Sequence, residues 1–227
     1  MASREEAKSR RRNAIMLAAR SLMQQRGDAG FSMRALADAA GVSIATPYNL
    51  FGSKQAVMFA VLDSDLERFA RGLEKLEADE LEIFFEAVSL ATGAYAAEPK
   101  FHKAVLFAVY SDGGRDYRAM FSGPRLGFWK NLVARAINAG VITPTIDSAA
   151  FALALSHLFF SCILEWVSGE LSVRELETRT HYGFTLLLAG AATVEARQRL
   201  LPRLPILQER LQTLWAQHHG ARTAATG

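Results

Sequence analysis

Gly30-Phe31-Ser32-Met33-Arg34-Ala35-Leu36-Ala37-Asp38-Ala39-Ala40-Gly41-Val42-Ser43 spells a short helix between two stops. Ser32 is placed to cap it, with Phe31 before the cap and Leu36 four positions into the helix as a hydrophobic staple. Gly41 follows Ala40 and supplies the backbone freedom that ends it. Ser43 then stands as the cap of a second short helix over residues 44–50, and Ser53 as the cap of another that begins at Lys54. Upstream, Ile15, Ala18, Ala19, Leu22 and Met23 recur at i, i+3, i+4, i+7 and i+8, one face of a helix that should stop at Arg26-Gly27. Helix, Gly41-Val42-Ser43 turn and short helix have the spacing of a helix-turn-helix, whose second helix enters the major groove with its N-terminal residues toward the bases. The same spacing fits an ordinary helical hairpin, since small residues at tight turns are common in bundles.

Outward from that stretch the chain keeps reading as helix. Leu62, Leu66, Phe69, Leu73 and Leu76 continue the helix that starts at Lys54 to about Ala78. Further helices are expected over residues 81–97, 100–110, 126–139, 148–168, 173–192 and 206–218. The breakers between them are Pro99, Gly113-Gly114, Gly123-Pro124, Gly140 with Pro144, Gly169, and Pro202 with Pro205. No run alternates apolar and polar residues convincingly, so the expected fold class is all-α: a three-helix head followed by a helical bundle.

Composition narrows the function. At 227 residues with 50% hydrophobic and 22% charged residues, the chain can bury a sizeable core and is not disordered. The single cysteine, Cys162, excludes an internal disulfide framework and cysteine-rich metal sites. Charge is unevenly placed. Residues 1–60 hold nine Lys/Arg against four Asp/Glu, while the rest of the chain is slightly acidic. A basic head on such a body suggests a polyanion-binding end. The run Arg10-Arg11-Arg12, with Arg4 and Lys8 before it, reads either as an arm toward DNA or as a solvated, frayed terminus. The start shows no secretory signal, and the one span-like stretch, residues 149–167, carries His157 and Glu165, so it is expected to be a buried helix of a cytoplasmic protein with no membrane partner.

Residues 13–59 resemble the DNA-binding region of the TetR/AcrR (tetracycline-repressor-like) family. The resemblance rests on the first-helix apolar face, residues 30–43 as quoted, Thr46, Tyr48-Asn49-Leu50-Phe51, Gly52-Ser53-Lys54 and Val57. It covers about a fifth of the chain. It implies a DNA-binding domain over residues 1–54 and an effector-binding and dimerisation domain over 55–227. Carried over by position, Ser43, Ile44, Ala45, Thr46, Tyr48 and Asn49 lie on the recognition helix, and Tyr48 and Lys54 match positions that touch phosphates. Thr46 can approach base or phosphate. Ser32 and Arg34 begin the helix that crosses the backbone, so both are phosphate candidates. Pro47 departs from the family pattern and suggests a first turn that is tighter or starts one residue later. Leu50 replaces a position that is often histidine or aromatic, and Ile44 and Ala45 offer bases only apolar contacts.

No catalytic or metal-binding residues are assigned, and no cofactor is expected. Cys162 has His157 on the wrong side of its helix and apolar surroundings, so a buried structural thiol is expected. The remaining histidines show no metal-ligand spacing, and the glycines form no phosphate loop. Aromatic residues concentrate between Phe101 and Trp166. They suit core packing singly and a lined cavity collectively. Candidate lining residues are His102, Phe107, Tyr110, Phe128, Trp129, His157, Phe160 and Trp166. The expectation is a homodimeric, ligand-responsive repressor on palindromic double-stranded DNA, released by an apolar effector of aromatic or fatty-chain type. Residues 148–168 and 173–192 are its expected dimer helices. The alternatives are a DNA-binding regulator or nucleoid protein answering to a protein partner, and a helical ligand-binding or hydrolytic protein without DNA binding.

Overall fold

The computed structural model describes residues 3–111 and 123–225. Helices account for the regular structure: α1 (Arg4–Arg26), α2 (Met33–Ala39), α3 (Ala45–Phe51), α4 (Lys54–Leu73), α5 (Ile83–Ala97), α6 (Pro99–Ser111), α7 (Gly123–Asn138), α8 (Ser148–Val167), α9 (Val173–Ala191), α10 (Val194–Leu200) and α11 (Arg203–Ala225). The fold is all-α, with the helix-turn-helix at its N-terminal end. Two compact units divide the chain, Met1–Arg68 with Ala97–Ala119, and Phe69–Ala96 with Met120–Gly227.

In the first unit α1 packs on α2, α3 and α6. Ile15, Ala19, Met23, Phe31, Leu36, Val57 and Phe101 are all buried. Phe31 and Leu36 flank the Ser32 cap as the staple requires. Arg20 ties three helices together. Its guanidinium gives one Nη to both carboxylate oxygens of Asp65 at 2.8 Å, pairs with Glu98, and lies 4.1 Å over the Phe101 ring. In the second unit α8 packs on α7 and α9, and α9 on α10 and α11. Its core gathers Leu81, Phe84, Val88, Trp129, Leu132, Val133, Leu155, Phe184 and Leu188.

Several elements differ from the sequence expectation. The N-terminal basic run is helical and not frayed. Residues 4–12 are the first turns of α1, closed by a capping box between Ser3 and Glu6. α4 stops at Leu73, short of Ala78, and Leu76 is exposed. α9 ends at Ala191 because residues 141–143 and 191–193 pair as a short antiparallel bridge, with Thr143 N donating to Ala191 O at 2.9 Å and Thr193 N to Val141 O at 3.0 Å. α11 begins at Arg203, three residues before the expected start, so Pro202 precedes it and Pro205 sits in its first turn, where a missing amide costs no helical bond. Close approach of helices within the chain falls at Gly183. Gly190 has open space beside it, whereas a Cβ at Gly183 would lie 2.4 Å from Leu158 Cδ1.

α8 is long and apolar enough to cross a membrane, and 44% of its apolar window is buried. Cys162 on this helix is buried, and that burial pushes its thiol above the ordinary value.

Candidate nucleic-acid interface

The turn between α2 and α3 begins with two backbone hydrogen bonds. Val42 N donates to Ala37 O at 3.0 Å and Gly41 N to Asp38 O at 3.1 Å, the paired bonds of a Schellman motif. That motif needs a left-handed residue after the cap, and Gly41 supplies it with φ +65°.

Beyond the turn the recognition helix starts one residue later than its sequence cap suggests. Ile44 takes the cap position without a side-chain bond, and Ala45 is the first helical residue. Ser43 instead holds the turn, with its carbonyl accepting from Thr46 N at 2.9 Å and its hydroxyl 2.9 Å from Thr46 Oγ1. The reason is Pro47. With Ala45 first, Pro47 falls third, where a helix has no carbonyl to receive an amide, so the missing N–H leaves no bond unmade. Pro47 is buried and anchors the helix from behind. Ser43, Ile44, Ala45, Tyr48 and Asn49 are exposed, Ile44 at 45% and Tyr48 at 50%, and Thr46 is half-buried. The exposed row pairs two apolar contacts with a phenol, a hydroxyl and an amide, enough for thymine methyls, phosphate oxygens and a base edge.

Ser32 Oγ accepts from Ala35 N at 3.1 Å, so it caps α2, and Arg34 is exposed in the first turn of that helix. Lys54 is half-buried. Its Nζ donates to Ala29 O at 2.6 Å and Phe31 O at 3.2 Å and sits 5.1 Å from the Phe31 ring centre. Two of its three N–H groups therefore close the loop before α2, leaving one for an outside acceptor. Sequence reasoning placed Arg12 only in the basic run and missed its contact with α3. Its Nη1 donates to Leu50 O at 3.0 Å, and its guanidinium lies 4.2 Å over the Phe51 ring. The signal was present in the register, since Arg12 precedes Ile15 by three on one helix face.

The candidate effector residues do not gather at one place. His102 and Phe107 belong to α6 in the first unit. His102 is 6% exposed with Nδ1 2.9 Å from Glu98 O, while Phe107 is 63% exposed. The Tyr110 side chain lies outside the described residues. In the second unit, Trp129 meets Phe128, Phe159 and Phe184 edge-on with ring centres 5.1, 6.1 and 5.3 Å away. Trp166 stacks on Tyr95 at 5.2 Å, Phe160 is buried, and His157 is exposed. Ser156, which the sequence did not single out as a candidate, is buried on α8 with a hydroxyl that has no hydrogen-bond partner. An open groove of about 400 Å³ also lies between α9 and α11, lined by Glu175, Arg179, Leu211, Gln212 and Trp215. Among the described residues no three His, Cys, Asp or Glu side chains come together as a metal site would require.

Residues 15–61 match the family described as bacterial regulatory proteins, tetR family. The HTH-type transcriptional repressor KstR of Rhodococcus jostii (strain RHA1) is 27% identical over 188 residues, covering 82% of this chain and 86% of its own. A TetR transcriptional regulator from Rhodococcus sp. RHA1 matches in structure with a TM-score of 0.67 and 22% identity, over 81% of this chain and 98% of its own. Thermus thermophilus FadR, a TetR-family transcriptional repressor in complex with lauroyl-CoA, matches with a TM-score of 0.64 and 22% identity, over 80% of this chain and 95% of its own. These structural likenesses establish the fold.

Proposed function

We propose that the chain, whose head at residues 15–61 matches the tetR family of bacterial regulatory proteins, is a cytoplasmic, ligand-responsive repressor that binds a palindromic operator as a homodimer. The observation that carries this reading is the exposed row Ser43, Ile44, Ala45, Tyr48 and Asn49 on a helix held from behind by Pro47. Asn49 and Thr46 read base edges. Tyr48, Ser32, Arg34 and the remaining N–H of Lys54 hold phosphates. Residues 1–54 serve DNA binding, and residues 55–227 serve the effector and the second subunit. The repressor KstR, similar over most of the chain, supports the sign of regulation.

Dimerisation through α8 and α9 is supported by an apolar helix of which only 44% of the apolar window is fully buried in the single chain, most of the rest being half-buried. The effector is apolar, aromatic or fatty-chain, and binds in the second unit near Phe128, Trp129, Phe160 and Trp166, with the unpartnered Ser156 hydroxyl as its polar anchor. FadR's complex with lauroyl-CoA supports a fatty-chain ligand. Burying such a ligand contributes about 25 cal/mol per Å² of apolar surface, so enclosure by rings is what gives it affinity.

Selection of duplexes from a random pool by the purified protein tests the reading. An inverted repeat with half-sites about one helical turn apart, or a multiple of it, is the expected product. Tyr48→Phe should weaken binding to every selected duplex, whereas Asn49→Ala should change which sequence is selected. A pool that enriches for nothing would remove the DNA-binding function. Lauroyl-CoA and simple phenols, titrated against the bound complex, then test the effector class.

A further inference from the structure

The face of α1 that packs into the head does not end where the head ends. Ile15, Ala18, Ala19 and Met23 form its buried side. Counted toward the N-terminus with the same spacings of four and three, the positions are Arg12 and Arg11, Lys8 and Arg4. At 3.6 residues per turn, Arg4, Lys8, Arg11 and Ile15 fall within about 60° of one another. Arg4, Lys8 and Arg11 are exposed, so an apolar stripe becomes a cationic one as the helix leaves its core.

Two contacts fix where this stripe stands. The capping box between Ser3 and Glu6 holds residues 4–12 in helix. Arg12 then pins the helix to the C-terminal turn of α3 through Leu50 O and the Phe51 ring, where the carbonyl end of a helix favours a cation. The stripe thus starts at the end of the recognition helix and continues about 12 Å along α1, at 1.5 Å per residue. The acidic residues dilute it little. Glu6 lies on the far side with its carboxylate on the Ser3 amide, and only Glu5 flanks Lys8.

Folding alone does not favour this arrangement. Arg4 and Lys8, Lys8 and Arg11, and Lys8 and Arg12 are like charges at helical contact spacing, which destabilises a helix. Cations in the first turns also oppose the helix dipole. A polyanion laid along the stripe reverses both effects.

We propose that residues 4–11 of α1 form a phosphate-binding rail, in which Arg4, Lys8 and Arg11 contact the DNA backbone beside the groove that α3 enters. The inference rests on the DNA-binding reading above and adds a second, sequence-independent contact surface to it. The rail raises affinity for any duplex and leaves base preference unchanged.

The test uses the full chain and its Arg4→Gln/Lys8→Gln/Arg11→Gln variant, with Arg12 and α3 intact. Both are titrated by fluorescence anisotropy against a mixed-sequence 40-bp duplex between about 50 and 300 mM KCl, a range over which counterion release is readable. The wild-type slope of log affinity against log salt should be steeper by about 2 to 3, and its affinity at low salt higher by about tenfold. Circular dichroism of the variant should show helix retained, and Glu5→Gln should move affinity in the opposite direction to the triple variant. Equal slopes for a folded triple variant and the wild type would overturn the rail while leaving the helix-turn-helix reading in place. A wild-type chain that binds no duplex at any salt would overturn that reading and the rail with it.

Discussion

Lys54 carries its charge into a corner already furnished with two acceptors. Its contacts to the Ala29 and Phe31 carbonyls bridge the start of α4 to the loop before α2, so the residue supports the head before it meets any phosphate. Hydrogen bonds to charged groups contribute about 1.5–3 kcal/mol each, and leaving the partner carbonyls unpaired adds to the loss. Lys54→Met keeps an apolar stem against Phe31 and removes the donors. It should lower the denaturation midpoint measurably, and the salt slope of DNA binding should fall by about one. A variant as stable as the wild type would show that the two carbonyl contacts are not made in solution. Pro47 shows the same economy at a single position. It is tolerated because the helix begins at Ala45, a start that puts the residue lacking an amide where no amide is required.

At the scale of elements, the contact between α8 and α9 is set by one missing side chain. Gly183 faces Leu158, whose Cδ1, Cδ2 and Cγ lie 2.4, 3.0 and 3.2 Å from where a Cβ would stand. Gly183→Val should overpack this contact and cost about 1–3 kcal/mol. Leu158→Ala in the same chain should recover much of that loss, because it opens the space the valine needs. Urea unfolding of the two single variants and the double variant measures the coupling. Strictly additive losses would mean that the two helices do not meet at Gly183. Since α8 and α9 are the proposed dimer helices, sedimentation of the same variants reports whether their packing and assembly depend on each other.

Across the whole molecule, each unit draws a histidine out of solvent, His102 buried and His181 half-buried. Burial holds His102 below its ordinary 6.5, against the opposing pull of the Glu98 carbonyl, Asp65 and Glu98. Partial burial likewise holds His181 below 6.5, against Glu177 and the Phe85 carbonyl. His181 Nε2 lies 3.2 Å from Phe85 O and 3.4 Å from Ser89 Oγ, which donates to Glu177 at 2.7 Å. A lowered histidine binds its proton more readily in the unfolded chain. Stability is therefore flat above about pH 7.5 and lost as pH falls through the unfolded value near 6.5 toward the lower folded ones. The thermal midpoint should drop between pH 7.5 and 5.5, and His102→Gln with His181→Gln should flatten the drop. An unchanged slope in the double variant would assign the acid sensitivity to other groups.

The sequence by itself determined the all-α class, the cap at Ser32, the left-handed stop at Gly41 and the order of the three head helices. These depend on neighbours within a few positions, where capping, staple packing and helical period act directly on the chain. The exposed row proposed to face DNA was legible for the same reason, since spacing along one helix fixes which residues share a face. What the tertiary structure decided lies between elements. The Arg20 bridge joins residues far apart in the chain, Lys54 turns toward carbonyls fixed by another loop, and α9 ends where a distant segment pairs with it. The ring-rich stretch is divided for this reason, because composition assigns aromatic residues to one region but not to one surface. Phe107 is exposed, His102 and Trp129 fall in different units, and Ser156 is buried with its hydroxyl unpartnered. Burial is a property of what packs against a residue, and that partner is supplied by chain that the local sequence does not contain.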